Sequence, residues 1–143
     1  MVTEFSDILA RNIIHICFGE DLADHIFELQ VKENGKWIKK SFTIKDSIVV
    51  VVPQVMMTFY ENISNPINWL YPHTEVMINV SGDARKVREN CMVVRDWIKD
   101  YINERKAGKR SSSVSGNTDL LSVMLERQDV WTMEYMVDEL LGF

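Results

Sequence analysis

The sequence predicts an all-α chain forming a single domain, and three observations carry that expectation. Apolar residues recur at spacings of three and four over most long segments, the period of an amphipathic helix. Glycine, serine and aspartate stand where those segments would start or stop. The one run rich in β-branched residues, Ile48 to Tyr60, contains Pro53, which would remove a ladder donor in mid-strand.

From Thr3 to Phe18 the spacing sets Phe5, Ile8, Leu9, Ile13, Ile16 and Cys17 along one helical face. Gly19 follows as a stop, because glycine adopts the left-handed conformation that closes a helix at little cost. Between His25 and Phe42 the Asn34-Gly35 turn dipeptide, flanked by Leu29, Val31, Trp37 and Ile38, allows a short hairpin or an irregular loop. A loop between helices is the preferred expectation. Ile48 to Tyr60 reads as a helix with its proline near the first turn or at a kink. Asn65 to Pro72 holds Ile67, Trp69, Leu70 and Tyr71 between two prolines and reads as a loop with an oily tip.

The clearest helix runs from Asp83 to Lys106, with Val87, Cys91, Val94, Ile98 and Tyr101 or Ile102 opposite Arg88, Arg95, Asp96, Lys99 and Asp100. A Ser- and Gly-rich connector, Lys106 to Thr118, follows it. Asp119 is placed to cap a short helix, Leu120 to Leu125, and Thr132 to cap a last one with Met133, Met136, Val137, Leu140 and Leu141 as its buried stripe. That stripe runs into Leu140-Leu141-Gly142-Phe143 with no cap or polar tail, so the helix reads as cut rather than ended.

Composition narrows the function. The 143 residues are 46% hydrophobic and 26% charged with a net charge of -5, as in soluble globular proteins. Nucleic acid is not an expected partner, since the one dense basic cluster, Lys106, Lys109 and Arg110, sits beside a serine loop and not on an extended stripe. Cys17 and Cys91, far apart and each in an apolar pattern, suggest free thiols in a reducing compartment. Asn62 and Asn79 head glycosylation tripeptides that would matter only in a lumenal setting. The opening residues, Met-Val-Thr-Glu-Phe-Ser-Asp, do not read as a signal peptide, and Ile48 to Met57 is about half the ~20 apolar residues that span a bilayer.

Catalytic chemistry is sparse. His15, His25 and His73 stand in no metal-ligand spacing. Asp138 and Glu139 are adjacent on a helix, so they point about 100° apart and cannot share a proton. Gly82 and Gly116 stand alone, without the spaced glycines of a phosphate cradle. Ser111 to Ser115 lacks a general base at defined spacing. Chemistry alone describes a helical module without an active site.

The order of three segments says more. Phe5-Ser-Asp-Ile-Leu-Ala-Arg-Asn-Ile-Ile-His-Ile-Cys-Phe-Gly-Glu-Asp-Leu22 resembles the E helix of cytochrome P450, the haem-thiolate monooxygenases, particularly the eukaryotic membrane-associated type. Arg95-Asp-Trp-Ile-Lys-Asp-Tyr-Ile-Asn-Glu-Arg-Lys106 is similar to the family's G helix and its Ile-x-Glu-Arg-Lys ending. Thr118-Asp-Leu-Leu-Ser-Val-Met-Leu125 and then Thr132 to Phe143 resemble the H helix and the start of the I helix. Within this scheme residues 1–22 are E-like, 44–82 the F helix and F–G loop, 83–106 G-like, 107–118 a flexible loop and 119–143 the H helix and the start of I. The match is least over His25 to Lys45.

The resemblance implies a partial P450 fold, an internal piece of an enzyme that binds haem, takes electrons from a reductase and inserts one oxygen atom of dioxygen into an apolar small molecule. It implies a parent on the cytoplasmic face of the endoplasmic reticulum membrane. The Ala-Gly-x-Asp/Glu-Thr stretch, the Glu-x-x-Arg pair and the Phe-x-x-Gly-x-Arg-x-Cys haem loop do not occur in these residues, so no catalytic or metal-ligating residue is expected and neither Cys17 nor Cys91 is the iron ligand. The family's cavity roof corresponds to Met57, Phe59 and Tyr60, with Trp69 and Leu70, and its distal helix to Leu140 and Phe143; these are the substrate-pocket candidates, with plain core packing as the alternative for each. Ile67 to Tyr71 is a candidate membrane contact. The competing expectation is a small helical interaction or scaffold protein that folds alone without catalysis.

Overall fold

The computed structural model describes residues 2–64, 82–113 and 119–142. Among these, five helices surround a two-stranded antiparallel sheet: α1 Val2–Phe18, β1 Ile26–Glu33, β2 Lys36–Thr43, α2 Ile44–Ser64, α3 Gly82–Lys106, α4 Leu120–Glu126 and α5 Met133–Gly142.

The chain is mostly helical, as expected, but not all-α. Ile26 to Thr43 forms a hairpin with Glu33 opposite Lys36, which leaves Asn34 and Gly35 as the two-residue loop. Both have positive φ, 50° and 79°, the backbone of a turn whose twist matches that of paired strands. Phe27 and Leu29 alternate inward with a period of two, and Leu29 is fully buried. A hairpin closed by the Asn-Gly turn therefore stands where a loop between helices was expected.

Three helix ends form as the sequence suggests. Gly19 takes φ +73° and its N–H donates to the His15 carbonyl at 2.8 Å, closing α1. Asp119 accepts from the Ser122 N–H at 2.9 Å to cap α4. At the start of α5 the Thr132 carbonyl takes the Met136 N–H at 3.0 Å, and its hydroxyl lies 3.4 Å from the Tyr135 N–H. Glycine also ends α3: Gly108 at φ +71° lets its own N–H reach Arg105 and the Lys109 N–H reach Glu104, the paired bonds of a Schellman motif.

The core gathers Ile14, Cys17 and Phe18 of α1, Phe27 and Leu29 of the hairpin, Ile98, Tyr101 and Ile102 of α3, Leu121 and Met124 of α4, and Met136, Val137 and Leu140 of α5. The stripe expected on α3 is the one that packs. That on α1 is rotated: Cys17 is buried and Ile13 partly so, whereas Phe5, Ile8, Leu9 and Ile16 are exposed. α2 starts at Ile44, so Pro53 lies in its interior rather than near its first turn. The Val49 carbonyl thereby loses its intrahelical donor. Val49 and Pro53 both face outward, so water can take that place.

Candidate functional site

The elements meet at an apolar cleft of about 330 Å³ between α1, α2, α3 and α5. Its walls include Leu9 and Ile13 from α1, Ile44 and Ile48 from α2, Val94 and Trp97 from α3, and Leu140 and Leu141 from α5, with Phe27 from the hairpin. The volume lies at the lower end of the range, about 300–1,000 Å³, that small-molecule sites occupy. Ser47 is the polar residue in the wall, and its hydroxyl donates to the Ile44 carbonyl at 2.6 Å. Such a surface can hold an oily group by exclusion of water, with little to orient it.

Of the expected pocket residues, Leu140 lines this cleft. Met57, Phe59 and Tyr60 do not reach it; they lie on the outer face of α2, 64%, 56% and 60% exposed, with the Phe59 and Tyr60 rings 6.2 Å apart. Trp69, Leu70 and Phe143, with the oily loop Ile67 to Tyr71, fall outside the described residues.

α2 is inside out. Its inward positions are Ile44, Ser47, Val51, Gln54 and Thr58, while Val49, Val52, Val55, Met56, Met57, Phe59 and Tyr60 face outward. The cause lies on β1. Gln30 pairs with Lys39 in the register that turns its backbone N–H and carbonyl to the free edge of the hairpin. Those groups need partners, since an unpaired buried amide costs as much as a lost hydrogen bond. Asn90 of α3 supplies both, accepting from the Gln30 N–H at 2.7 Å and donating to its carbonyl at 2.8 Å. Gln54 of α2 donates to the same carbonyl at 3.1 Å and accepts the second Asn90 amide proton at 2.9 Å. The amide junction thus holds the polar side of α2 inward.

A second polar junction ties α1, α3 and α4. The Arg105 guanidinium reaches both Asp119 oxygens at 3.3 Å and the Ser122 hydroxyl at 2.6 Å, and it shares the Phe18 carbonyl with the Tyr101 hydroxyl. The side chains of Arg105 and Asp119 are 5% and 0% exposed. Burial pushes the Asp119 carboxyl up, but hydrogen bonds from Ser112 and Ser122 and the nearby Arg105 charge outweigh it and leave the group below its ordinary range. Burial, with the Glu20 carboxylate, pushes the Tyr101 phenol up to about 12. This phenol stays neutral and structural.

Burial pushes both Cys17 and Cys91 up, the wrong direction for a nucleophile or an iron-binding thiolate. His25 stacks on Trp97 at 5.0 Å, and burial with the Arg110 charge pushes it below its ordinary range. Among the described residues no group of three or more His, Cys, Asp or Glu side chains is placed to hold a metal ion. Asp138 and Glu134 on α5 pair with Arg95 of α3, a surface link between helices.

Asn90 and Arg105, the polar centres of the two junctions, were not singled out from sequence. Asn90 does carry a signal, standing three residues after Val87 within the apolar stripe. Among the described residues no helix is long and apolar enough to cross a membrane. Comparison of the chain with family models, curated proteins and solved structures gave no match.

Proposed function

We propose that this chain is an internal, non-catalytic piece of a haem-thiolate monooxygenase of the P450 type, contributing apolar wall to an enzyme that oxygenates an oily small molecule with electrons from a reductase. The observation that carries this reading is the apolar cleft, bordered by exposed large apolar side chains on α1 and α2, including Leu9 at 48% and Ile48 at 51% exposure. Isolated soluble proteins keep such surfaces small, and a larger helical enzyme would cover them. The succession of helices α1 to α5 also follows the order in which the sequence resembles helices E, F, G, H and I. The hairpin lies where that resemblance is least. Membrane association of the parent enzyme belongs to the same proposal.

Reading the transcript past the codon for Phe143 tests it. An Ala-Gly-x-Asp/Glu-Thr stretch followed by a Phe-x-x-Gly-x-Arg-x-Cys loop is expected, and the longer product should show the carbon monoxide difference spectrum of a thiolate-ligated haem. A stop codon at that point, together with a compact monomer from the 143-residue chain, overturns the reading.

A second reading, a self-folding helical interaction module, is favoured by a different observation. Both buried polar junctions are completed from within the described residues. A cooperative thermal transition of the isolated chain without dye-accessible apolar surface supports this alternative.

A further inference from the structure

The chain leaving α3 brings a basic run against three consecutive serines. Arg105, Lys106, Lys109 and Arg110 precede Ser111, Ser112 and Ser113. The Schellman motif at Gly108 fixes the direction in which this segment leaves the helix. Ser111 and Ser113 are exposed and Ser112 is half-buried. The segment is latched rather than loose. The Ser113 N–H donates to the Gly19 carbonyl at 2.8 Å and its hydroxyl donates to the same oxygen. The Ser112 hydroxyl is hydrogen-bonded to the Asp119 carboxylate. It also packs so closely on Gly19 that a Cβ there would lie 2.3 Å from it. Arg110 completes the latch with ion pairs to Glu20, at 3.2 Å, and to Glu104.

We propose that Ser112 is a phosphorylation site for a protein kinase that reads basic residues ahead of its acceptor, and that phosphate there unlatches residues 109–113 from α1 and α4. Lys109 and Arg110 lie three and two residues before Ser112, where an acidic kinase groove would pair with them. The segment's links to the rest of the fold are a few hydrogen bonds and ion pairs, so local opening can present it without global unfolding. In the open state the Ser112 Oγ attacks the γ-phosphorus of the kinase's MgATP. The bond to the leaving ADP breaks, and the hydroxyl proton passes to the kinase's catalytic base. Reclosure then fails on two counts. The modified side chain no longer donates to Asp119 but meets it as a second anion, in a place already crowded against Gly19. Modification therefore traps the open segment and exposes the Arg105–Asp119 pair to water.

The test uses the full chain, a basic-directed serine kinase and MgATP, with the phosphate mapped by tandem mass spectrometry. One phosphate on Ser112 is expected, absent from Ser112→Ala. Lys109→Ala, which leaves the latch contacts in place, should slow its incorporation by about tenfold or more, and Lys109→Arg should restore much of the rate. Amide exchange over residues 109–113 and 19–22 should quicken after modification and not in a mock reaction. Failure to label the native chain under conditions that label a peptide of residues 104–116 overturns the proposal. Label confined to Ser111 or Ser113, or label at Ser112 with unchanged exchange, overturns it equally.

Discussion

The junction around Arg105 and the outer face of α2 are built in opposite ways. At the junction a guanidinium, a carboxylate and hydroxyls are buried and joined to one another. On α2, Val49, Val52, Met57, Phe59 and Tyr60 face outward while Gln54 and Thr58 face in. Burial thus follows the need to pair backbone and charge as much as it follows hydropathy. A polar group placed inside must be satisfied or it costs more than the apolar contact it displaces. An apolar side chain placed outside costs only its missing burial, which a partner surface can later restore.

Breaking the junction should have the largest effect. Asp119→Ala removes the α4 cap and strands the Arg105 charge, so unfolding in urea should show a loss of about 3–5 kcal/mol. Asp119→Asn keeps an acceptor for the Ser122 N–H and should cost less. The same carboxylate sets a pH dependence. Because its folded-state pKa lies below the ordinary 3.8, its contribution is present above that value and is lost as pH falls through it toward the folded-state pKa. Thermal melts over this acid range should therefore fall less steeply in Asp119→Asn than in the parent.

The amide junction comes next. Asn90→Ala leaves the Gln30 N–H without an acceptor and Gln54 without its donor, and chemical denaturation should register a loss of about 1–3 kcal/mol. Amide exchange at Gln30 should quicken in parallel. If stability is unchanged, the amide junction is not what holds α2 in its inverted orientation.

Gly19→Ala probes the closeness of the packing between α1 and the serine segment. A methyl group at φ +73° would sit 2.3 Å from the Ser112 hydroxyl and 2.8 Å from an Asp119 oxygen. A destabilisation of about 2 kcal/mol or more is expected from calorimetry. On the outer face of α2 the expectation reverses. Met57→Ser with Phe59→Ser should shift stability by no more than about 0.5 kcal/mol per site, yet lower the binding of an apolar-surface dye. A large loss of stability there would show that the face is packed against something and end the contrast.

Particular residues mark how far the sequence could be read. The α3 stripe, the stop at Gly19 and the caps at Asp119 and Thr132 were legible because each depends on neighbours within a turn or two of the same helix. The hairpin was half legible. Its Asn-Gly signal stood in the sequence, but choosing strand over loop depended on Phe27 and Leu29 having a core to enter. For the candidate site, Leu140 lines the cleft, while Met57, Phe59 and Tyr60 are exposed on α2 and do not line it.

By itself the sequence determined the helix periods, the turn glycines and the capping residues, since local sterics and short-range hydrogen bonds fix these before any distant contact forms. Only the tertiary structure decided which side of α1 and α2 turned inward, and that Asn90 and Arg105 became centres of buried networks. Partners 60 residues from Asn90 and 87 from Arg105 impose those choices, and a distance along the chain carries no record of which polar groups will need each other once water is gone.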